Sequence, residues 1–174
     1  MRTILLRSLA IAAVALLLCG VGAAAPAAAR EIVRFSGYSP GTIVVRTDER
    51  RLYLMLDAGH ALRYPVGVGK AGRQWSGSAN IDGMYIRPAW SPPAVIRRDR
   101  PSLPDLIPGG SPRNPMGARA IVLERNEVAI HGTTNRMRAS IGTAASYGCI
   151  RMRNEDVSDL YNRVGVGTPV IMEP

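Results

Sequence analysis

The chain has 174 residues, and its 22 basic and 13 acidic side chains give a net charge of +9 at pH 7. The basic residues are almost all arginine and are scattered, without a long run or interleaved aromatic residues, so a nucleic-acid-binding protein is not indicated. The surplus positive charge suits another anionic partner, or it is simply a solvated surface. A chain of this length forms one domain whose core needs no disulfides.

The first 29 residues have the layout of a secretory signal peptide. Arg2 and Arg7 precede an unbroken apolar run from Leu9 to Leu18, and Ala-x-Ala patterns end at Ala25 and Ala29. The apolar run is short for a membrane span, which needs about 20 residues. We therefore expect residues 1–29 to be removed, the protein to be exported to the periplasm or cell wall, and no membrane span to be retained.

Removal of this leader would leave a single cysteine, Cys149, because Cys19 lies within the leader. Lipid attachment at Cys19 is an alternative, but bacterial lipoprotein signals have a small residue before the cysteine and Leu18 is not small. A lone cysteine in an exported protein pairs between molecules, lies inert in the core, or is a reactive thiol. A pairing within the mature chain is excluded.

The first half of the mature chain predicts β-strands. We interpret residues 30–41 as a short lead-in segment and 42–174 as the folded domain. The stretch "TIVVRTDERRLYLML" predicts a hairpin, because β-branched and alternating apolar residues flank a turn at "TDER". The following "ALRYPVGVG" continues as a strand that ends in a glycine-rich turn.

A long segment from Trp90 to Pro115 is rich in proline, glycine and arginine. This density of proline predicts a functional or mobile loop, or a flap, without a regular element. The next stretch, "RAIVLERNEVAIHGT", predicts a second hairpin with His131 at the exit of its second strand.

The C-terminal segment predicts one helix and one strand. Asn154 suits the N-cap of a helix over "NEDVSDLYNRV", in which apolar residues recur at helical spacing. The final "GTPVIM" predicts a strand. The whole pattern indicates a mostly β domain with one or two short helices.

Cys149 and His131 are the candidate catalytic pair. A thiol reacts as the thiolate, so we expect its pKa to be lowered by a histidine within hydrogen-bond reach or by nearby amides and cations. Since no acidic residue follows Glu127 near His131, a backbone carbonyl around Gly132 is the candidate that fixes the imidazole tautomer. The two histidines and one mature cysteine lie in unrelated places, so neither a metal site nor a cofactor is expected.

The residues around Cys149 also suit acyl transfer. Gly148 would let a substrate approach the backbone closely. The amides of Tyr147, Gly148 and Cys149 could converge on a developing oxyanion. If a strand follows Cys149, Arg151 shares its face and could bind a substrate carboxylate.

These residues carry a resemblance to a known family. The stretch "HGTTNRMRASIGTAASYGCIRM" resembles the signature of the L,D-transpeptidase catalytic domain, the YkuD-type domain of bacterial cell-wall enzymes. The matching positions are His131, Gly132, Thr133, Gly142, Ser146, Gly148, Cys149, Ile150 and Arg151. Tyr147 departs from the family pattern, because many members have histidine there. The resemblance extends over about residues 42–172.

The resemblance implies a β-sandwich-like fold and a cysteine nucleophile, Cys149. It also implies a general acid/base, His131, held by the backbone carbonyl of Gly132. Substrate would contact Arg151, Ser146, Tyr147, Gly148 and Thr133. The implied donor is a peptidoglycan tetrapeptide stem, which loses its terminal D-Ala to form a thioester. An amine acceptor then takes the acyl group, and this acceptor is a second stem, a lipoprotein or a D-amino acid.

Two other functions remain open from the sequence. Water could take the acyl group instead of an amine, which would make the protein an L,D-carboxypeptidase or endopeptidase. A non-catalytic cell-wall-binding protein could use the same groove with an idle thiol. The presence of the histidine, the cysteine and the arginine together favours an enzyme.

Overall fold

The structure, a computed structural model, describes residues 30–174, so the predicted signal peptide at 1–29 lies outside the described residues. The strands are β1 (Glu31–Arg34), β2 (Ile43–Arg46), β3 (Arg51–Met55), β4 (His60–Pro65), β5 (Val68–Gly69), β6 (Gly77–Ile86), β7 (Arg119–Leu123), β8 (Ala129–His131), β9 (Ala144–Ser146), β10 (Ile150–Arg151) and β11 (Pro169–Glu173). The helices are α1 (Ala94–Asp99), α2 (Asn154–Tyr161) and a 3-10 helix (Asn135–Ser140). None of these helices is long and apolar enough to cross a membrane.

Nine strands form one sheet in the order β1-β4-β3-β2-β11-β6-β7-β8-β10, and β5 pairs separately with β9. Strand β6 joins the two halves of the sheet, because its first residues pair with β11 and its later residues pair with β7. Within the pairing with β7, the register shifts between Ile81 and Gly83, just after the residues that pair with β11, and a bulge of this kind bends a strand. This confirms the mostly β prediction.

One hydrophobic core lies between the two halves of the sheet. Ile43 and Leu52 from the first half and Ile121 and Ile130 from the second half belong to this core and are completely buried. Burial of apolar surface from both halves explains why the sheet closes on itself in a sandwich-like fold. The two predicted hairpins, β2–β3 and β7–β8, are confirmed.

Helix α2 covers one end of this core. Val157 and Leu160 are completely buried, which confirms the predicted apolar stripe. The predicted N-cap is wrong, because the helix already includes Asn154 and the cap position is Arg153. The Asn154 side chain instead accepts hydrogen bonds from the amides of Ala118 (2.9 Å) and Thr133 (3.2 Å).

The proline-rich segment contains helix α1, so the prediction that it has no regular element is wrong. Pro92 and Pro93 precede this helix, and Pro93 occupies its N-cap. Proline is tolerated at a helix start because the first N–H groups have no intrahelical partner. The Arg97 side chain also donates to the Pro92 carbonyl at 2.7 Å. We refer to residues 90–116 as the flap.

Strands β1 and β6 are among those not predicted from the sequence. Strand β1 lies in the expected lead-in segment and pairs antiparallel with β4 at the edge of the sheet. Phe35, which follows β1, stacks on Tyr53 with ring centroids 4.1 Å apart. Strand β6 has the sequence GSANIDGMYI, whose glycine, asparagine and aspartate obscure the strand pattern.

Candidate active site

The candidate catalytic residues meet where β8 and β10 lie side by side. These strands are parallel, with Ile130 opposite Ile150 and His131 opposite Arg151. Both isoleucines are completely buried in the core. Because side chains alternate along a strand, His131 and Arg151 lie on the opposite face, as does Cys149 just before β10.

A cavity of about 1170 Å³ lies on this face, between the strands and the flap. Cys149, His131 and Arg151 line its floor together with Ala129. The flap contributes apolar side chains to the opposite wall, among them Trp90, Val95, Ile96, Leu103 and Ile107. The structure therefore brings together the cysteine, the histidine and the arginine that the sequence singled out.

His131 is buried, with 3% of its surface exposed, and its ring is oriented by the backbone. Its Nδ1 lies 2.7 Å from the Gly132 carbonyl oxygen, the contact that the sequence led us to expect. Because a carbonyl can only accept, Nδ1 carries the proton in this contact. Burial lowers the pKa of His131 to about 4, and this effect outweighs the contact with the Gly132 carbonyl, which raises it. The imidazole is therefore neutral at pH 7.

Cys149 is partly buried and unpaired. Its thiol donates a hydrogen bond to the Glu127 carbonyl at 3.5 Å, and within residues 30–174 no hydrogen bond joins it to the His131 ring. Burial raises the pKa of the Cys149 thiol, and the opposing effects of the Ala129 backbone and of Arg151 are smaller. The expectation of a lowered thiol pKa is wrong for this state, because loss of hydration outweighs the neighbouring charge.

Ser146 holds the turn that carries Cys149. Its hydroxyl donates to the Cys149 carbonyl at 2.6 Å and accepts from the Gly148 amide at 3.1 Å. The Gly148 amide is therefore already bonded, which contradicts its expected part in an oxyanion site. Gly148 has φ of +126°, a conformation that favours glycine. Ser146 lines the cavity, whereas Gly148 lines a neighbouring groove of about 500 Å³.

Tyr147 connects the cysteine turn to the flap. Its hydroxyl donates to the Asp99 carboxylate at 2.8 Å, and the Lys70 ammonium lies 4.2 Å from the centre of its ring. Tyr147 also lines both the cavity and the neighbouring groove. This residue stands where many members of the resembling family have histidine, so the contact with Asp99 depends on that difference.

Thr133 lies behind the catalytic strands and not among the residues that line the cavity. It is buried, and its hydroxyl donates to the Met152 carbonyl at 3.2 Å. Its backbone binds Asn154, which also donates from Nδ2 to the Thr133 carbonyl at 2.9 Å. Sequence reasoning missed this role of Asn154, because an asparagine before two acidic residues is also typical of a helix cap.

The second histidine of the chain, His60, lies outside the candidate active site. His60 begins β4, is exposed, and contacts the Asp57 carboxylate through Nδ1 at 3.1 Å. It does not line the cavity. His131 is therefore the imidazole that the fold brings beside Cys149.

Comparison with known proteins identifies the family of this domain. Residues 40–172 match the family model of the L,D-transpeptidase catalytic domain. The probable L,D-transpeptidase ErfK/SrfK of Escherichia coli is 38% identical over 135 residues, which cover 74% of this chain and 42% of that protein. The chain thus spans less than half the length of this curated relative.

Two solved structures share the fold. An L,D-transpeptidase from Mycobacterium smegmatis superimposes with a TM-score of 0.61 at 18% identity, covering 76% of this chain and 58% of that one. A Brucella melitensis protein superimposes with a TM-score of 0.58 at 39% identity, covering 83% of this chain and 93% of that one. The Brucella protein is named a probable carnitine operon oxidoreductase, a different enzyme class from the family match.

Proposed function

The chain belongs to the L,D-transpeptidase catalytic-domain family, and on this premise we propose that it is a cysteine-dependent L,D-transpeptidase acting on peptidoglycan tetrapeptide stems. Cys149 attacks the carbonyl of the diamino acid at the third position, and the terminal D-Ala leaves. The resulting thioester passes its acyl group to an amine acceptor, which is a second stem, a lipoprotein or a D-amino acid.

One observation carries this proposal. Cys149 lies directly before β10 and His131 lies on the adjacent parallel strand β8; both line the same cavity, and the His131 ring is held by the Gly132 carbonyl. A thiol beside an oriented imidazole is the arrangement that activates a cysteine for acyl transfer. Both apolar and charged side chains line the cavity, which suits a peptide that has apolar and charged parts.

In this proposal the reaction starts from a neutral Cys149 thiol and a neutral His131 imidazole, and these two states define where the proton moves. The Cys149 side chain leaves the Glu127 carbonyl and turns toward His131, whose Nε2 accepts the thiol proton as sulfur bonds to the carbonyl carbon. The same nitrogen then gives this proton to the departing D-Ala amine as the C–N bond breaks. In the second half, His131 takes a proton from the acceptor amine as that amine attacks the thioester, and it gives this proton to the departing sulfur as the C–S bond breaks. Hydrogen bonds of this kind are often formed only with substrate bound.

The cellular setting is part of the same proposal. Residues 1–29 would export the protein, and the wall lies in the compartment that the mature domain reaches. The positive charge of the chain suits a surface of anionic wall polymer.

Product analysis tests the proposal. We would mix the protein with a tetrapeptide stem and an isotope-labelled D-amino acid and identify the products by mass spectrometry. The proposal predicts the exchanged tetrapeptide, whereas tripeptide alone would indicate hydrolysis. Cys149→Ala should make neither product, and full activity of this variant would end the assignment.

A matched pair of histidine variants tests the base. His131→Gln should lower the rate by about 10²–10⁴-fold, the usual contribution of general acid–base catalysis. His60→Gln changes an exposed imidazole outside the cavity and should leave the rate unchanged. Equal rates for both variants would contradict the role proposed for His131.

A further inference from the structure

The cavity contains more positive charge than its own walls neutralise. Five arginines line it, Arg73, Arg97, Arg100, Arg113 and Arg151, against one acidic residue, Glu127. Arg97 is already bound, because it forms an ion pair with Asp105 at 2.6 Å. We call Arg100, Arg113 and Arg151 the arginine cluster.

Arg151, on the cavity floor, has an unused donor. Its Nε is buried and has no hydrogen-bond partner within the described part of the chain. Burial lowers the pKa of Arg151, and the positive charge of Arg100 acts in the same direction. Both guanidinium groups line the same cavity and repel each other, and an anion bound between them would relieve this repulsion.

The two flap members of the cluster are equally unneutralised. Among residues 30–174, neither Arg100 nor Arg113 forms an ion pair with a carboxylate. The neighbouring flap side chains that line the cavity, such as Val95, Ile96 and Leu103, are apolar and supply no acceptor. Glu127, the one acidic residue in the lining, cannot balance three arginines, so the remaining counter-charge of the cluster comes from solvent or from a ligand.

We propose that the arginine cluster binds carboxylates of the stem peptide, so that this protein selects stems whose carboxylates are free over stems whose carboxylates are amidated. This rests on the function proposed above. A guanidinium binds a carboxylate through two parallel hydrogen bonds. A carboxamide is uncharged and has a single acceptor oxygen, so it cannot accept this pair of bonds. Amidation changes the shape of the stem little, so discrimination comes from charge.

Binding to Cys149→Ala, which cannot turn over substrate, tests the selection by itself. NMR titration would compare a tetrapeptide stem whose carboxylates are free with the same stem in which they are amidated. The free-acid stem should bind about 10- to 100-fold more tightly, the range for hydrogen bonds to charged groups. Added salt should reduce this difference.

Variants in the same background assign the selection to the cluster. Adding Arg100→Gln and Arg113→Gln should reduce the preference to less than about threefold, with little change for the amidated stem. Arg98→Gln is the matched control, because Arg98 lies on the same helix but does not line the cavity. This control should keep the full preference.

Two results would overturn the inference: equal affinities for both stems, or a preference that survives loss of both flap arginines. Failure of the proposed function is recognised separately, since protein with Cys149 intact would then release no D-Ala from either stem. A binding preference without turnover would support the cluster and count against the enzyme. Turnover without a binding preference would support the enzyme and count against the cluster.

Discussion

Tyr147 donates a hydrogen bond of 2.8 Å to Asp99, and this contact joins the turn that carries Cys149 to helix α1 of the flap. The Asp99 pKa is lowered, chiefly by this hydrogen bond and further by the charge of Lys70. Both residues are close to the surface, so the contact can open without disrupting the core. The flap is therefore fastened to the turn that carries Cys149.

Tyr147→Phe should loosen the flap. The variant keeps the ring beside Lys70 but removes the hydroxyl that binds Asp99. Amide hydrogen exchange should become faster in residues 94–99 and remain unchanged in β2 and β3, because local opening leaves the rest of the fold intact.

A second tyrosine provides the control for this prediction. Tyr85 is about half exposed and lies on β6, outside the cavity. Tyr85→Phe should leave exchange in the flap unchanged. If Tyr147→Phe also left it unchanged, the contact with Asp99 would not hold the flap.

The flap shows what sequence patterns hide. Proline content argued against regular structure, yet Pro92 and Pro93 precede α1 and leave its hydrogen bonds intact. The rule that proline breaks helices applies to helix interiors, and the sequence alone does not say where a short helix begins. The strong patterns, such as the apolar and β-branched runs of β2 and β3, were sufficient because both faces of those strands are buried.

Stability should depend on pH through His131. Its pKa is about 4 in the folded protein, against about 6.5 in an unfolded chain. Between these values the unfolded chain binds a proton that the folded protein does not, so stability is present at pH 7 and is lost as pH falls through this window. The loss at pH 4 should be about 3 kcal/mol.

Urea unfolding at pH 7 and pH 4 measures this dependence. His131→Gln should lose less stability between the two pH values than the wild type does, because it lacks the titrating group. His60→Gln should behave like the wild type, since that imidazole is exposed. An identical pH dependence in all three proteins would show that His131 is not the buried neutral group described above.

Asn154 should matter for stability. Its side chain accepts hydrogen bonds from the amides of Ala118 and Thr133 and donates one to the carbonyl of Thr133. Thr133 directly follows His131 and Gly132 in the chain. Asn154→Ala would leave these groups without partners, at a cost of about 1–3 kcal/mol for each that stays buried.

A comparison with aspartate separates the two halves of this contact. Asn154→Asp keeps the acceptor for both amides but loses the donor to the Thr133 carbonyl, so its loss of unfolding free energy should be smaller than that of Asn154→Ala. Urea unfolding would give the order. A wild-type stability for Asn154→Ala would contradict the structural role.

Ser146→Ala should destabilise the turn before Cys149. The change removes both the donor to the Cys149 carbonyl and the acceptor of the Gly148 amide. We expect a loss of about 1–3 kcal/mol of unfolding free energy and a slower first step of the reaction, because Cys149 is held less firmly. Ser36→Ala, at an exposed position, should change neither quantity.

The candidate site was predictable in identity but not in detail. The motif around His131 and Cys149 identified the pair, and the chain spacing placed both at the ends of strands. The sequence did not reveal that burial would raise the Cys149 pKa or that Thr133 would face away from the cavity. These properties depend on which side chains the flap and α2 bring in from distant parts of the chain.

The central claim is that Cys149 carries the acyl group. Intact-protein mass spectrometry after brief mixing with a tetrapeptide stem measures this directly, followed by peptide mapping and release with hydroxylamine. We predict one acyl group per protein, bound to Cys149 as a hydroxylamine-sensitive thioester and absent from Cys149→Ala. Release of D-Ala at the wild-type rate by Cys149→Ala, or an acyl group on another residue, would contradict the claim.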